Sequence, residues 1–519
     1  MKIDYKSPVH KVISFLRKGR DEWKQKCRKA KKTLKREKEK NRRLKKRNAQ
    51  LALEIKCLKS KINQKKDDDF PKDCLPAPIQ AFEHRPMFHA FSLVHIQMFI
   101  SLALFGCGSM RGASRSMEIC FSQLNIAQPA PSWQAGRFWL LRIGLYKLIR
   151  DKEIADDWIW IVDHTVKLGR EKCLAIFGVR RSQLPEAEAY IYHQDIEPIE
   201  LAPVQKSNGD IVYEQLTEAI KKTGVPCQIV ADRGTDVKAG IEKFCSDHPQ
   251  TRYIYDIKHK VAALLKKELG SDDNWQEYAK TCASTSKKLQ QTDLAHLAPP
   301  QQRAKSRYMN IEPLVQWGVK MLTLLETMPV IGEELGLDAE RVEQKLGWLR
   351  QFQQRLGEWT DLMATVKSVE DYIKFVGIYN DSHLELEQNP LYTPQTDRAK
   401  AVSDQLLTFV KEQALKAQEG EWLLGSSEII ESAFGKLKSL EHEQAKGGFT
   451  GMILSLSACV GTIGREMIEE ALQAIPTQKL LDWIKENIPT SVQSSRRKLS
   501  ESLKHKEQKQ TQSLTPCYG

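Results

Sequence analysis

Three acidic residues stand where strands and a helix would bring carboxylates together. Asp163 follows the apolar run WIWIV, and Asp232 ends the segment PCQIVAD. Glu431 lies in SSEIIESAFGKLK, with Lys438 two helical turns later on the same face. Two divalent cations about 3.5–4 Å apart can activate an attacking oxygen and stabilise a leaving oxygen at a phosphodiester. Carboxylates are the ligands that Mg²⁺ prefers. The three acids therefore predict a site for two Mg²⁺ ions, with Mn²⁺ as the alternative ion.

The elements that must position these acids form an α/β unit. Short apolar runs rich in β-formers predict five strands, and helical spacing over 210–222 and 236–245 predicts two helices between the later strands. The order β-β-β-α-β-α-β is the outline of a ribonuclease H-like fold with a mixed five-stranded sheet. The five strand segments are WIWIVDHT, CLAIFGVR, EPIELAPVQ, PCQIVAD and RYIYDI.

The residue pattern changes over 260–425, and there it predicts an almost wholly helical region. Breaks are expected near Pro299–Pro300 and near Pro390–Pro394. Tryptophans in this region have two readings, since an aromatic ring can stack on a DNA base or fill a helical core. Core packing is the ordinary role of tryptophan in a helical domain. The residues concerned are Trp275, Trp317, Trp348 and Trp359.

These blocks resemble the DDE transposases of bacterial insertion sequences, within the ribonuclease H-like and retroviral integrase superfamily. IVDHTVKLGREKCLAIFGVR resembles the first-aspartate strand, ADRGTDVKAGIEKF the second, and SSEIIESAFGKLK the glutamate helix. The resemblance implies that Asp163, Asp232 and Glu431 are the metal-binding catalytic triad. It also implies that the helical region is an insertion between the second aspartate and the glutamate.

One family motif is only half present around the glutamate. Some insertion-sequence transposases carry Tyr-x2-Arg-x3-Glu-x6-Lys, and Glu431 and Lys438 keep the last spacing. Leu424 and Ser427 replace the tyrosine and the arginine. Glu428 therefore stays open as a rival third acid.

Positive charge is concentrated at the N-terminus. The 519 residues carry a net charge of +14, and residues 1–66 hold 26 basic against 6 acidic side chains. This arm predicts a polyanion partner, double-stranded DNA above all. A heptad register follows Leu44, Leu51 and Leu58, which predicts a parallel coiled coil and a homodimer. A solvated charged helix is the alternative. The basic residues expected to contact DNA are Arg42, Arg43, Lys45 and Lys46.

Residues 82–152 predict a helical, helix-turn-helix-like DNA-binding domain. Its second helix begins at Pro131–Ser132, with the serine as N-cap. That helix would offer Gln134, Arg137 and Arg142 to DNA. The competing reading is an ordinary helical bundle in which the helix is core, through Trp139, Leu140, Leu141 and Leu145.

Further side chains near the acids are candidate DNA contacts. They are Arg233, Lys258, His259 and Lys438. For Lys258 and His259 the alternative is capping and packing at the start of a helix. His164 is expected to hydrogen-bond DNA or the fold, and Asp256 is a spare carboxylate without an assigned role.

Several classes of protein do not fit the sequence. No apolar run is long enough to cross a membrane, and the eleven cysteines show no CxxC or zinc spacing. A cytoplasmic bacterial protein, nucleoid-associated when bound to DNA, is expected. The predicted organisation is a basic coiled-coil helix over 1–66, a linker over 67–81, the DNA-binding domain over 82–152, a core in two parts over 153–262 and 426–489, an insertion over 263–425 and a basic disordered tail over 490–519.

The resemblance implies a transposase that cleaves DNA at the ends of its element and joins those ends to target DNA. Two alternatives remain at the level of sequence. One is a catalytically inactive DNA-binding protein derived from a transposase, and the other is a ribonuclease H-like nuclease.

Overall fold

Five strands form one mixed sheet in the order β3-β2-β1-β4-β5. The computed structural model describes residues 84–106, 108–166, 171–184, 189–302, 308–331, 336–389, 393–441, 449–488 and 495–503. The strands are β1 (Trp158–Val166), β2 (Lys172–Arg180), β3 (Glu197–Val204), β4 (Gln228–Ala231) and β5 (Arg252–Tyr255).

The central strand β1 separates two kinds of pairing. It runs antiparallel to β2, which is antiparallel to β3. On its other side it runs parallel to β4, which is parallel to β5. The expected mixed five-stranded sheet is confirmed, and its order is consistent with a ribonuclease H-like core. The parallel half requires helical crossovers, and these are α4 (Gly209–Thr223) and α5 (Thr235–Asp247).

Alternation along β1 sends its side chains into two different cores. Trp160 and Val162 pack with α4 and α5 on one face of the sheet. Ile159 and Ile161 belong to the larger core on the other face, with the remaining helices. Because successive strand residues face opposite sides, Asp163 continues the second series. His164 continues the first.

The other described α-helices precede or follow the sheet. Three come before it, seven lie between β5 and residue 414, and four lie between residues 427 and 488. In chain order they are α1 (Leu93–Ser101), α2 (Met110–Gln123), α3 (Trp133–Ile149), α6 (Ile257–Gly270), α7 (Asp273–Leu289), α8 (Glu312–Ile331), α9 (Ala339–Leu346), α10 (Gln353–Val376), α11 (Ser382–Glu387), α12 (Asp397–Ala414), α13 (Glu428–Glu441), α14 (Leu454–Ala458), α15 (Arg465–Ala474) and α16 (Thr477–Asn487).

The helical region between β5 and α13 has an aromatic centre. Trp275, Tyr278 and Trp359 are fully buried, and their ring centroids lie 5.0–5.7 Å apart. Trp317 is 8% exposed, and Trp348 packs against the same core. The expectation that these tryptophans fill the helical core is therefore confirmed for the buried Trp275, Trp317 and Trp359, and Trp348 packs partly buried against the same core.

Helix α3 is a core helix. Ser132 caps it as expected, accepting a hydrogen bond from the Ala135 N–H. The packing on α14 is so close that a Cβ on Gly144 would lie 1.9 Å from the Leu454 carbonyl oxygen. Trp139, Leu140, Leu141 and Leu145 are all buried. The alternative in which this helix belongs to the core of a helical bundle is therefore confirmed for these four residues.

The position of Arg142 does not fit the expected DNA contact. Its side chain is buried, and its guanidinium donates to the carbonyl oxygens of Ile475, at 2.5 Å, and Leu472. These carbonyls belong to the C-terminal end of α15, where a cation is stabilising. Arg142 therefore joins two helices rather than presenting a charge to solvent.

Some predictions concern parts of the chain beyond the described residues. The coiled coil over 1–66 and the linker over 67–81 lie outside them. Residues 495–503 are helical and exposed, and the other residues of the predicted tail over 490–519 lie outside the described ranges. No helix within the described ranges is long and apolar enough to span a membrane.

Candidate active site

Asp163 and Asp232 lie side by side at one end of the sheet. β1 and β4 are parallel, and the last pair in their register is Val162 with Ala231. Each aspartate directly follows its member of that pair. The sequence folds this way because each aspartate follows a run of buried apolar residues, which is WIWIV in β1 and IVA in β4.

Burial and charge disfavour the ionised form of Asp163. Burial is the largest cause, and the charges of Asp232 and Glu431 add to it, so that the pKa of Asp163 is raised to about 7. His259 and the N–H of His164 oppose this shift. The His164 N–H donates to Asp163 Oδ1 at 2.7 Å. Neighbouring carboxylates of this kind repel one another unless a cation is present.

The third acid of the predicted set starts the second turn of α13. Glu431 Oε2 lies 3.6 Å from Lys258 Nζ, and Glu431 Oε1 lies 4.0 Å from His259 Nε2. Its charge contributes to the raised pKa of Asp163. The structure thus gathers Asp163, Asp232 and Glu431 around His259.

Glu428, the rival third acid, is held by two lysines. It forms ion pairs with Lys374 at 2.5 Å and with Lys258 at 3.4 Å. Burial would raise its pKa, but the hydrogen bonds and charges of these lysines lower it below the usual glutamate range. The two glutamates share Lys258, and only Glu428 also contacts Lys374.

Asp256, which the sequence offers only as a spare carboxylate, lies beside His259, for which DNA contact and capping are the two expectations. Asp256 caps α6, accepting from the His259 N–H at 2.8 Å, and its Oδ1 also lies 3.0 Å from His259 Nδ1. Burial would lower the pKa of His259, but Asp256, Glu431 and Asp232 raise it to about 9. The ring is therefore an imidazolium at neutral pH. The contacts between Asp256 and His259 cap the start of α6.

His164 faces the opposite side of the sheet from Asp163. Its Nδ1 lies 3.6 Å from Asp236 Oδ2, which also accepts a hydrogen bond from Lys172 at 2.6 Å. Burial would raise the pKa of Asp236, but bonds from Lys172 and Ser207 and the charge of His164 lower it to about 2. His164 thus contacts a residue of the fold, which is one of the two kinds of contact expected for it.

The other predicted DNA contacts are spread over the described surface. Gln134, Arg233 and Lys438 are exposed, and Arg137 is partly buried. The Arg233 guanidinium lies 4.7 Å from the ring centroid of Tyr255. Arg42, Arg43, Lys45 and Lys46 lie outside the described residues.

A pocket opens beside the first turn of α13. It has a volume of about 150 Å³, and its lining includes Tyr190, Tyr192, Lys374 and Glu428. Phe375 stacks on Tyr190 with the ring centroids 5.6 Å apart. Tyr192 and Phe375 are 55% and 51% exposed. Tyr192 and Lys374 therefore line a pocket next to Glu428, and the exposed ring of Phe375 stacks on the lining residue Tyr190.

No sequence pattern predicted that Tyr190, Tyr192 and Phe375 lie together. Tyr190 and Tyr192 precede β3, whereas Lys374 and Phe375 end α10, more than 180 residues later. No spacing in the sequence relates them. The one available signal was the aromatic alternation in AYIYHQ.

The donor chemistry of the acids suits a divalent cation, although they do not form a ready ligand set. Among the described residues, no group of three or more histidines, cysteines, aspartates or glutamates is arranged to hold a metal ion. The carboxylates of Asp163, Asp232 and Glu431 nevertheless interact electrostatically: burial, and then the charges of Asp232 and Glu431, raise the pKa of Asp163. By donor type and by charge, Asp163, Asp232 and Glu431 fit Mg²⁺ or Mn²⁺.

Comparison with solved structures gives a weak likeness. No protein-family model matches the chain, and no curated protein matches it. A solved structure described as the Drosophila P element transposase strand transfer complex is similar over 76% of this chain and 94% of that chain. The identity is 14% and the TM-score 0.31. A likeness at this level does not carry an argument about function.

Proposed function

We propose that this chain is a DDE-type DNA transposase of the kind found in bacterial insertion sequences. The observation that carries the proposal is the juxtaposition of Asp163 and Asp232, each directly after the last residue pair of two parallel neighbouring strands, with Glu431 of α13. The strand order adds support, since it is consistent with a ribonuclease H-like core.

The proposed reaction has two steps at one site. In the first, a water oxygen attacks the phosphorus at the element end, the bond from phosphorus to the 3′ oxygen breaks, and that oxygen takes a proton. In the second, the freed 3′-hydroxyl attacks a phosphorus of target DNA and displaces a target 3′ oxygen. No oxidant or co-reactant is needed for either step.

Asp163, Asp232 and Glu431 would hold the metal ions, and Asp163 must be ionised to do so. Two Mg²⁺ ions supply, when bound, charge stabilisation for the attacking and leaving oxygens. Lys258 and the His259 imidazolium contribute fixed positive charge next to Glu431. These two cations would help to orient the DNA phosphates.

The partners in this proposal are double-stranded DNA and a second copy of the chain. The basic arm over 1–66 would bind the terminal repeats, and its heptads would pair two protomers so that both element ends are processed together. Lys438, Arg233 and Gln134 are exposed and free to approach DNA from solvent.

A strand-transfer assay tests the proposal. Purified full-length protein is incubated with labelled element-end DNA and a target plasmid, with Mg²⁺ or with EDTA. We expect joined products only with Mg²⁺. Binding without cleavage would favour the inactive DNA-binding alternative, and cleavage without joining would favour a nuclease.

The aromatic pocket supports an unpaired DNA base as part of the substrate. Base stacking on an aromatic ring is sequence-tolerant and changes affinity by roughly 5- to 100-fold when the ring is removed. Phe375→Leu, which keeps an apolar side chain but removes the ring, should weaken binding of a labelled single-stranded oligothymidine by about that factor. Fluorescence anisotropy gives the dissociation constants.

Phe375→Tyr is the matched control, because it restores a ring and should bind as the parent does. Duplex DNA without an unpaired base should bind equally well to all three proteins. If Phe375→Leu binds the oligothymidine as the parent does, the Phe375 ring does not contact the DNA. The assignment of the acids is not affected by that result.

A further inference from the structure

Asp256 is the point at which three elements around the candidate active site meet. Its N–H donates to the carbonyl oxygen of Ala231, the residue before Asp232, at 3.0 Å. Its Oδ1 accepts from the N–H and the ring of His259, at the start of α6. Its Oδ2 accepts from the Ser427 N–H at 2.6 Å and the Ser427 hydroxyl at 2.9 Å.

These contacts leave Asp256 no capacity for a ligand of its own. The residue is 1% exposed, so DNA cannot reach it. A carboxylate offers about four acceptor positions, and all four are used within the chain. Helix capping accounts for one of these bonds, from the His259 N–H. The two bonds from Ser427 lie across 171 residues of sequence and need another explanation.

Ser427 directly precedes α13, so a contact with Ser427 fixes where that helix begins. A second tie runs in parallel, from the Ile257 N–H to the Gly425 carbonyl oxygen at 3.0 Å. Glu431 follows Ser427 by four residues, about one helical turn. The His259 ring that Asp256 orients also faces Glu431, at 4.0 Å.

We infer that Asp256 is a positioning residue for the acids, holding the start of α13, and so Glu431, in register with the strand end that carries Asp232. The inference rests on the proposed function, because it concerns the carboxylates proposed there as metal ligands. Buried groups that orient ligands in this way commonly change metal affinity about 10- to 100-fold when altered.

Asp256→Asn changes one hydrogen-bonding group and little volume. The amide keeps one acceptor oxygen, which can still cap α6, but its NH₂ cannot accept from the Ser427 N–H. Ser427 is 2% exposed, so its N–H would be left without an acceptor. We expect the affinity of the full-length protein for Mn²⁺, measured by isothermal titration calorimetry, to fall about 10- to 100-fold.

Asp272→Asn is the matched control in the helical region. Asp272 is also a helix-capping aspartate, accepting from the N–H groups of Asn274 and Trp275, and it also reaches a distant segment, through Arg398 at 2.6 Å. Its side chain is 6% exposed. We expect this variant to lose thermal stability as Asp256→Asn does, and to bind Mn²⁺ as the parent does.

A second variant covers the case in which Asp256→Asn does not fold. Ser427→Ala keeps the carboxylate and the N–H and removes only the hydroxyl, so Mn²⁺ affinity should fall by about 5-fold. Equal Mn²⁺ affinity of the parent, Asp256→Asn and Ser427→Ala would overturn the positioning role.

The same measurements separate this inference from the proposed function. A parent that binds Mn²⁺ but neither cleaves nor joins DNA contradicts the proposed function, while a weakened Asp256→Asn still supports positioning. A parent that binds no Mn²⁺ overturns the metal site and the positioning role together.

Discussion

Replacing Asp163 with asparagine is expected to abolish DNA cleavage and strand transfer while leaving DNA binding intact. Asparagine keeps the shape of the side chain but removes the charge that would hold a metal ion between β1 and β4. Metal ions contribute several kcal/mol of transition-state stabilisation, so the loss should reach about 10³-fold or more. Single-turnover cleavage of labelled element-end DNA gives the rate, and anisotropy gives the affinity for the same DNA.

Stability measurements show whether the loss is chemical. The pKa of Asp163 is raised to about 7, first by burial and then by Asp232. A folded-state pKa above the unfolded value means that the ionised form weakens the fold as pH rises from about 4 to 7. The Asn variant should therefore unfold at the same or a higher temperature than the parent at pH 8.

The control for this experiment is Asp210→Asn, which removes an exposed carboxylate that pairs with Lys243 on the surface. It should cleave and join DNA as the parent does. Strand transfer at the parent rate by Asp163→Asn would exclude that residue from the site and with it the predicted triad.

The sheet could be predicted from the sequence because its strands carry their signal locally. WIWIV and the IVA of β4 are continuous apolar runs, as expected for strands that are buried on both faces. Asp232 directly follows β4, whereas β1 continues past Asp163 to Val166, so Asp163 does not end its strand as expected. Parallel pairing of the two strands up to Val162 and Ala231 still brings the two aspartates together. The order of the elements alone was therefore enough to predict that Asp163 and Asp232 lie close to each other.

Other features depend on contacts that no local pattern announces. Arg142 has the spacing of an exposed cation on α3, yet the carbonyls at the end of α15, more than 300 residues later, enclose it. Asp256 follows its strand as an ordinary capping residue would. Its bonds to Ser427 arise only when the helical insertion returns the chain to the sheet.

Glu431→Gln is expected to reduce cleavage by about 10³-fold or more, as Asp163→Asn does, because both remove a proposed ligand of the same ions. Glu428→Gln is expected to retain activity within about tenfold, since its loss affects ion pairs with Lys258 and Lys374, and partly exposed pairs contribute little. Cleavage rates at saturating Mg²⁺, with DNA affinity measured in parallel, separate the two variants.

The two glutamates are a matched pair for this purpose. They lie one turn apart on α13, carry the same side chain and share Lys258. A loss of folding or of α13 itself would therefore lower both activities together, whereas loss of a ligand lowers one. If Glu428→Gln is inactive and Glu431→Gln is not, Glu428 is the third acid. The charge that Glu431 exerts on Asp163 argues for the opposite result.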